Sequence, residues 1–272
     1  MKHNHLLMHE PMTTIDGRNS YFLIFAAIAV FLFVAACSCD RDDSLGRIRQ
    51  AGHISLATSA GYSPFSFYND RKELVGFDIE VAREVAKRLG VNLKIVDTPW
   101  EGIIEGLNAR RYDGIIGSMS VTEARRSVVS FSTPYYYSRT RVMVRMNSPL
   151  KTHADLEGKK IGIAVGTTFE KDAVRTGAKS IQPYASDDQA LLELHRGNVD
   201  AVVTDEIVGT YTVTRKKLPI KSLGSPLGEE QIAAAFRKGD NALLSAVNDA
   251  LKAMHKDGAL RRLTEKMARE GY

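Results

Sequence analysis

Short apolar runs alternate with amphipathic segments through most of this chain, from Leu45 onward. Residues 54–58 have the composition of a strand, and residues 78–89 carry an apolar stripe at helical spacing that ends before Gly90. The predicted strands are 54–58, 93–96, 114–117, 142–144, 161–165, 201–204 and 232–236, and the predicted helices are 78–89, 103–109, one from about 169, 190–195, 242–256 and 260–270. Strands that alternate with helices predict an α/β fold with mostly parallel sheets.

Composition and charge narrow the class of protein. Of the 272 residues, 44% are hydrophobic and 25% are charged, which is ordinary for globular protein of one large or two moderate domains. The formal net charge is +5, but the Lys and Arg residues are scattered among acidic residues. Nucleic-acid binding favours a basic block with interleaved aromatic residues, and the sequence has no such block. We therefore expect no nucleic-acid partner.

The N-terminal part of the sequence predicts export. Residues 21–36 form an uninterrupted run of apolar or small residues, shorter than the roughly 20 residues of a membrane-spanning helix. The run follows Lys2 and Arg18 and ends at small residues, as secretory signals do. A transmembrane anchor is the alternative interpretation. A signal peptide and a transmembrane anchor would both place the folded part of the chain outside the cytoplasm, at a membrane surface.

The end of the apolar run carries a possible lipid attachment site. Residues 34–37, Val-Ala-Ala-Cys, resemble the lipobox of bacterial lipoproteins. The resemblance implies a signal peptide over 1–36, lipidation of Cys37 as the first residue of the mature chain, and a polar tether over 37–44. Cys37 and Cys39 are the two cysteines of the protein. A core disulfide, a cysteine metal site and a thiol nucleophile are therefore not expected.

Residues 113–126 predict an anion-binding site. A short apolar strand there ends in hydroxyl residues and leads into a predicted helix, and residues 120–123 fit the S-x-x-E capping box that opens helices. A helix start exposes unpaired N–H groups and a partial positive charge, so it favours an anion. Ser118, Ser120 and Thr122 add hydroxyl donors, and Arg125 adds a planar fork that matches a carboxylate.

A weak internal echo indicates two similar lobes. Residues 107–116 and 194–203 each contain a helix end, a basic turn and an aspartate followed by small and β-branched residues. A T-x-x-E pattern at 167–170 follows the predicted strand that ends at Val165, and it predicts a second helix start. In open α/β sheets the ligand lies beyond the carboxyl ends of the strands. Two lobes facing each other across a cleft would bring both helix starts to one ligand.

Residues 76–82, Gly-Phe-Asp-Ile-Glu-Val-Ala, are similar to the signature of the bacterial family 3 extracellular solute-binding proteins. These are the amino-acid-binding proteins of ABC importers. Further motifs of the family occur in its order and spacing at 62–65, 113–116, 120–125, 131–135, 156–162, 166–168 and 205–206. The resemblance covers residues 45–270.

The resemblance implies an architecture and a function. The fold would be a two-lobe periplasmic-binding-protein clamshell (type II), with residues 45–137 and 228–272 in lobe 1, residues 138–227 in lobe 2 and two crossing strands as the hinge. Each lobe would be a mixed, mostly parallel sheet flanked by helices. The function would be capture of an L-amino acid, without catalysis or a cofactor. A lipid-anchored monomer would deliver the amino acid to the permease of an ABC importer.

The resemblance also implies which residues contact the ligand. They are Arg125, Asp205, Ser118, Ser120, Thr168, Tyr62 and Trp100. Arg125 would hold the α-carboxylate, helped by the hydroxyl residues or their backbone, and Asp205 would accept the α-ammonium. The two aromatic residues would pack on the ligand side chain. Both charges of a zwitterion need a partner, because a buried unpaired charge costs several kcal/mol.

The ligand side chain and two alternative functions stay open. Family members that bind cationic side chains often carry an acid just before the tyrosine, whereas Gly61 precedes Tyr62 here, so we expect a neutral side chain. Arg139 keeps an acidic ligand possible. A cyclohexadienyl dehydratase-like enzyme on the same fold needs a general acid, for which Glu206 is the candidate beside Asp205. An amino-acid-sensing subunit is the third alternative.

The sequence predicts no metal and no cofactor. His53, His153, His195 and His255 are isolated and lack the spacing of metal ligands. Residues 162–168 lack the lysine of a phosphate-binding loop. Any use of ATP is therefore expected to occur on a separate subunit of the importer.

Overall fold

Two five-stranded sheets organise residues 42–270, the part of the chain that this computed structural model describes. The strands are β1 (His53–Thr58), β2 (Phe67–Tyr68), β3 (Leu74–Val75), β4 (Asn92–Asp97), β5 (Gly114–Ile115), β6 (Val129–Phe131), β7 (Tyr136–Arg145), β8 (Lys160–Ala164), β9 (Ser180–Tyr184), β10 (Ala201–Asp205), β11 (Ile220–Ile232) and β12 (Ala235–Arg237). The helices are α1 (Ser44–Ala51), α2 (Phe77–Leu89), α3 (Ile103–Asn108), α4 (Glu123–Val128), α5 (Phe169–Arg175), α6 (Asp187–Arg196), α7 (Glu206–Arg215), α8 (Asn241–Lys256) and α9 (Ala259–Glu270).

Two sequence predictions concern residues beyond this range. The expected signal peptide over 1–36 lies outside the described residues, and so do Cys37 and Cys39. Within residues 42–270, no helix has the length and apolar character needed to cross a bilayer. Helix α1 begins at Ser44, inside the expected tether, because Asp42 Oδ1 accepts the backbone N–H of Ser44 (3.0 Å).

The first sheet has the strand order β4-β1-β5-β12-β6. Strand β1 pairs in parallel with β4 and β5, whereas β12 is antiparallel to β5 and β6. Helices α2, α8 and α9 pack together over a core that includes the fully buried rings of Phe65, Phe77 and Phe236. We call this sheet, with helices α1–α4, α8 and α9, the first lobe.

The second sheet has the strand order β11-β7-β10-β8-β9. Strands β8, β9 and β10 are parallel, and β7 is antiparallel to β10 and β11. Helices α5–α7 flank this sheet, and Ile161, Phe169 and Val203 lie in its core. We call this part the second lobe. The predicted α/β fold with mixed sheets is confirmed.

The chain crosses from one sheet to the other twice. The second crossing interrupts one predicted strand. It leaves the first sheet after β6 and enters the second at β7, and it returns between β11 and β12. The predicted strand 232–236 is wrong as a single element. Ala233 N–H donates to the Met119 carbonyl (3.1 Å) and Ala234 N–H to Ser132 Oγ (3.0 Å), so the backbone changes partners between the two sheets.

The similar sequence segments 107–116 and 194–203 form the same local structure, once in each lobe. Asp113 Oδ2 accepts the N–H of Ser55 (2.9 Å) in the first lobe, and Asp200 Oδ2 accepts the N–H of Lys160 (3.0 Å) in the second. In each copy an arginine donates to two carbonyls that precede the aspartate: those of Leu107 and Tyr112 for Arg237, and those of Leu194 and Val199 for Arg145. The shared motif therefore fixes the edge of a parallel strand pair in both lobes.

Both predicted capping boxes are wrong. The N-cap of α4 is Thr122, whose Oγ1 accepts the N–H of Arg125 (3.2 Å). Ser120 forms a β-bridge with Ile232, and this extended backbone prevents the helix from beginning there. The N-cap of α5 is Thr168, and its side chain makes no capping hydrogen bond. These two short helix starts alone therefore do not define an anion site.

Candidate functional site

A cavity of about 50 Å³ lies between the lobes, at the carboxyl ends of β1, β8 and β9. Six of the seven predicted ligand contacts line it: Tyr62, Trp100, Ser118, Ser120, Arg125 and Thr168. The seventh, Asp205, is not part of the cavity wall. The wall also contains Asp187, which the sequence reasoning missed.

Arg125 lies in α4 with its guanidinium at the cavity wall. Its Nη1 donates to the Ser120 carbonyl oxygen (2.9 Å), and its Nη2 donates to the Gly166 carbonyl oxygen of the second lobe (3.1 Å). The guanidinium carbon lies 5.5 Å from the centroid of the Trp100 ring, within cation–π range. Burial lowers the pKa of Arg125, and among residues 42–270 no carboxylate forms a salt bridge with it. A planar cation in this position is suited to bind a carboxylate.

Gly166 joins the two lobes across the cavity. Its carbonyl oxygen accepts a hydrogen bond from Trp100 Nε1 (3.1 Å) as well as the one from Arg125. A Cβ at Gly166 would meet Trp100 Cδ1 at 3.4 Å. The lobes also approach each other at Gly61, where an added Cβ would lie 3.0 Å from Ser186 Cβ. The two lobes are therefore closed against each other in this structure.

The hydroxyls of Ser118 and Ser120 both donate to carboxylates. Ser118 Oγ donates to Asp78 Oδ2 (2.8 Å), and Ser120 Oγ donates to Glu230 Oε2 (2.6 Å). Tyr135 Oη donates to Asp78 Oδ1 (2.7 Å) and accepts the N–H of Ser118 (3.0 Å). Asp78 is therefore a positioning residue for Ser118, beyond the helix-start charge that the sequence indicated. The lone pairs of both serine hydroxyls suit an ammonium group as donor.

Asp205 lies at the N-terminus of α7 and is 1% exposed. Its Oδ1 accepts the N–H groups of Ile207 (2.7 Å) and Val208 (3.0 Å), and its Oδ2 accepts the hydroxyl of Ser138. Burial raises the pKa of Asp205 to about 6. The carboxylate serves the fold as a helix cap, and its contact with a ligand stays a prediction.

Asp187 is the first residue of α6 and is 3% exposed. Its Oδ1 accepts the hydroxyl of Thr204 (2.5 Å). Burial is the main cause that raises its pKa to about 7, and the charges of Asp205 and Asp188 add to the increase. The helix predicted over 190–195 begins three residues later than α6, so the prediction does not include Asp187. The pair of aspartates after Ser186, which is the N-cap of α6, is the signal that could have found it.

Tyr62 connects the cavity wall with the core of the first lobe. Its ring stacks on Phe65 with a centroid distance of 5.5 Å. Burial raises the pKa of its hydroxyl well above the ordinary value, and the charges of Asp205 and Asp187 raise it further. The tyrosine therefore lies within the electrostatic influence of both buried carboxylates of the second lobe.

Arg139 forms an ion pair with Glu206. In the sequence, Arg139 was the residue that allowed an acidic ligand, and Glu206 was the candidate general acid of a dehydratase. Arg139 Nε lies 2.7 Å from Glu206 Oε2, and Arg141 Nη2 lies 2.7 Å from Glu206 Oε1. Neither Arg139 nor Glu206 is part of the cavity wall. Within residues 42–270, no group of three or more His, Cys, Asp or Glu side chains is arranged to hold a metal ion.

Comparison with known sequences assigns a family. The profile of the bacterial extracellular solute-binding proteins, family 3, matches residues 54–270. The chain is 31% identical over 244 residues to the L-cystine-binding protein of Escherichia coli strain K12, covering 88% of this chain and 91% of that protein. It is 32% identical over 224 residues to the histidine-binding periplasmic protein of Salmonella typhimurium, covering 78% of this chain and 86% of that protein. The chain belongs to family 3 of the bacterial extracellular solute-binding proteins.

Solved structures share the fold over nearly their whole length. A mutant of ArgBP from T. maritima has a TM-score of 0.79 and 36% identity, covering 84% of this chain and 100% of that one. An ancestral amino acid-binding protein, a precursor of cyclohexadienyl dehydratase, has a TM-score of 0.77 and 34% identity, covering 82% and 98%. These similarities confirm the predicted two-lobe clamshell.

Proposed function

We propose that this protein captures a free L-amino acid between its lobes and delivers it unchanged to the permease of an ABC importer. One observation carries the proposal. The wall of the closed cavity carries the guanidinium of Arg125, which forms no salt bridge with a carboxylate of residues 42–270, and the buried carboxyls of Asp187 and Asp205 belong to the opposite lobe. A small zwitterion complements this distribution of charge. Relatives named for binding L-cystine and histidine support an amino acid as the ligand.

The proposed contacts divide the zwitterion between the two lobes. Arg125 binds the α-carboxylate, helped by the backbone of Thr168. Asp205 and the hydroxyl lone pairs of Ser118 and Ser120 receive the α-ammonium, and the two aromatic residues of the wall pack on the side chain. A ligand that touches both lobes stabilises the closed state, because its contacts are complete only there. The permease would then recognise the closed, loaded form of a monomer.

We propose the lobe boundaries 45–137 plus 228–272 and 138–227. The chain passes between the sheets just before β7 (Tyr136–Arg145) and just after β11 (Ile220–Ile232), so both proposed boundaries lie within these two connecting strands. We also propose a neutral ligand side chain. No acidic residue stands among the three residues directly before Tyr62, and Arg139, the group that favoured an acidic ligand, is paired with Glu206.

We propose that lipidated Cys37 holds the protein at the outer side of a membrane, after removal of residues 1–36. The lipobox-like residues 34–37 support this anchor. In cells that produce the Cys37→Ser variant, the protein is expected in the soluble extracytoplasmic fraction, while the unchanged protein sediments with membranes. A variant that still sediments with membranes would contradict the lipid anchor.

A dehydratase is the second candidate, and one observation favours it. Asp187 is a carboxyl in the cavity wall whose pKa, about 7, is suited to a general acid. The solved ancestral precursor of cyclohexadienyl dehydratase shares the fold. Glu206, the acid first considered for such a reaction, is neutralised by Arg139 and Arg141 instead. Turnover of prephenate or arogenate by purified protein would replace the binding function with this one.

A thermal-shift panel of amino acids tests the proposed function. A ligand that binds only the folded protein stabilises it by about 2.7 kcal/mol at a hundredfold excess over its Kd. For a chain of this size that corresponds to a rise in Tm of roughly 5–10 °C. We expect at least one L-amino acid to give such a shift and its D-enantiomer to give none. A flat response to every amino acid would contradict the proposal.

A further inference from the structure

Asp187 occupies a position in the cavity that the proposed zwitterion contacts do not use. It lies on the second-lobe wall of the same cavity as Arg125. The N-cap Ser186, whose Oγ accepts the N–H of Gln189 (3.2 Å), fixes the backbone before it. The hydroxyl of Thr204 donates to Oδ1 and fixes the side chain. Asp187 is therefore a rigidly held carboxyl at the cavity surface.

The Asp187 carboxyl accepts hydrogen bonds from the Thr204 hydroxyl and from its own backbone N–H, but it has no cationic partner among the described residues. Among residues 42–270, no Lys, Arg or His forms a salt bridge with it, and the charged groups that act on it are Asp205 and Asp188, both acidic. A buried carboxylate without a cation or sufficient donors costs several kcal/mol. A ligand group that brings an N–H or O–H donor to the free side of this carboxyl would offset that cost.

The α-ammonium of the ligand already has other proposed partners and does not need Asp187. The carboxylate and ammonium of an amino acid are attached to the same carbon, so neighbouring protein groups must bind them. Arg125 lies beside Ser120, whose carbonyl it contacts, and the hydroxyls of Ser118 and Ser120 have lone pairs for an ammonium on that same wall. Asp205, on the second lobe, is the third proposed acceptor, so the α-ammonium is already matched without Asp187, and the ligand side chain is the group left for Asp187.

We propose that Asp187 is the specificity-determining residue of the site and that it accepts a hydrogen bond from a donor on the ligand side chain. The ligand class is then an L-amino acid whose side chain carries an N–H or O–H donor, in preference to an aliphatic or thioether side chain of similar size. This inference rests on the proposed function. Selectivity among amino acids follows from it, because an aliphatic ligand leaves the buried carboxyl unmatched.

Calorimetric titration of the full mature chain with matched ligands tests the inference. The probes are L-glutamine and L-histidine, which carry donors, and L-leucine and L-methionine, which do not. The unchanged protein is expected to bind the better donor ligand at least about tenfold more tightly than either apolar ligand. Asp187→Asn removes the charge at nearly constant shape, so it should reduce that preference at least about fivefold while apolar ligands bind as before or more tightly.

Asp188→Asn is the matched control. Asp188 is the next residue in α6, but it lies outside the cavity wall, where it accepts the Thr212 hydroxyl (2.8 Å) and pairs with Lys216 (3.1 Å). The control should keep the preference of the unchanged protein. An equal loss for all ligands in Asp187→Asn would make Asp187 a partner of the α-ammonium and overturn the inference, and an unchanged preference would overturn it too.

Failure of this inference and failure of the proposed function give different results. If the unchanged protein binds leucine or methionine as tightly as the donor ligands, the role of Asp187 in specificity is wrong while amino-acid binding stands. If it binds none of these four and the thermal-shift panel is also flat for every other amino acid, the proposed function itself is wrong. The selectivity of the unchanged protein needs no variant, so it remains decisive even if Asp187→Asn does not fold.

Discussion

Replacement of Arg125 by alanine is expected to weaken amino-acid binding by at least about 2 kcal/mol, which is about a 30-fold increase in Kd. A hydrogen bond to a charged group contributes about 1.5–3 kcal/mol, and a ligand carboxylate left without its partner in a closed cavity adds a desolvation cost. The variant also loses the hydrogen bond from Arg125 to the Gly166 carbonyl, which links the lobes in the closed state. Calorimetric titration with the best ligand measures the change.

Two further variants separate the role of Arg125 from a general loss of charge. Arg126→Ala is the matched control, because Arg126 is the neighbouring residue, is exposed, and lies 3.9 Å from Glu123 at the surface. It should bind the ligand like the unchanged protein. Arg125→Lys keeps the charge but loses the planar fork, so it should bind with intermediate affinity. A Kd unchanged in Arg125→Ala, or raised equally in Arg126→Ala, would remove Arg125 from the site.

Replacement of Gly76 by alanine is expected to cause the largest loss of stability, about 3 kcal/mol or more. Gly76 has a φ of +131°, which side-chain-bearing residues rarely adopt, and an added Cβ would lie 2.2 Å from the Phe65 carbonyl oxygen and 2.8 Å from that of Pro64. At the start of α2, the Pro64 carbonyl accepts the N–H of Phe77 (3.1 Å) and the Phe65 carbonyl accepts the N–H of Asp78 (2.9 Å). The backbone of residues 64–65 cannot move away from the added Cβ without breaking both hydrogen bonds.

The Gly76→Ala substitution should also disturb the candidate site, because the loop from Tyr62 to Phe65 contributes Tyr62 to the cavity wall and Phe65 to the core. A destabilisation of about 3 kcal/mol should lower the Tm by roughly 6–12 °C for a chain of this size. Gly46→Ala is the control, since Gly46 lies inside α1 and an added Cβ would meet nothing within 4 Å. It should leave the Tm unchanged or raise it slightly. A Gly76→Ala protein as stable as the control would contradict the account.

Helices with a clear apolar stripe could be predicted closely. The predicted helix 78–89 is α2 (Phe77–Leu89), which ends at Gly90 with a φ of +74°, and the predicted helix 242–256 is α8 (Asn241–Lys256). In both, the buried residues follow helical spacing, so the local pattern already contains the packing information.

Several elements gave no local signal because tertiary pairing determines them. Strand β9 contains Pro183 and lies at the edge of the second sheet, and β11 contains Gly224 and Gly228 with an irregularity between Leu223 and Gly228. Proline and glycine are depleted in strands, so the sequence disfavoured both. Pairing with β8 and β7 overrides that preference.

Most residues of the cavity wall that were proposed to contact the ligand could be predicted from the sequence, with Asp187 as the exception, but their hydrogen bonds could not. Local motifs indicated Ser118, Ser120 and Arg125, and all three line the cavity. The partners of the serine hydroxyls, Asp78 and Glu230, are 40 and 110 residues away along the chain. No local pattern contains contacts between residues so far apart in the chain. The sequence therefore predicted that these hydroxyls donate to the ligand carboxylate, whereas the folded structure supports a role as acceptors for the ammonium.

The central claim is that the cavity binds a free L-amino acid and releases it unchanged. Calorimetric titration of the purified mature protein, followed by recovery and chemical analysis of the ligand, tests it most directly. The account predicts a saturable transition with one ligand per chain, and recovery of all the amino acid without any product. No heat with any amino acid, or conversion of prephenate or arogenate during incubation with the protein, would contradict it.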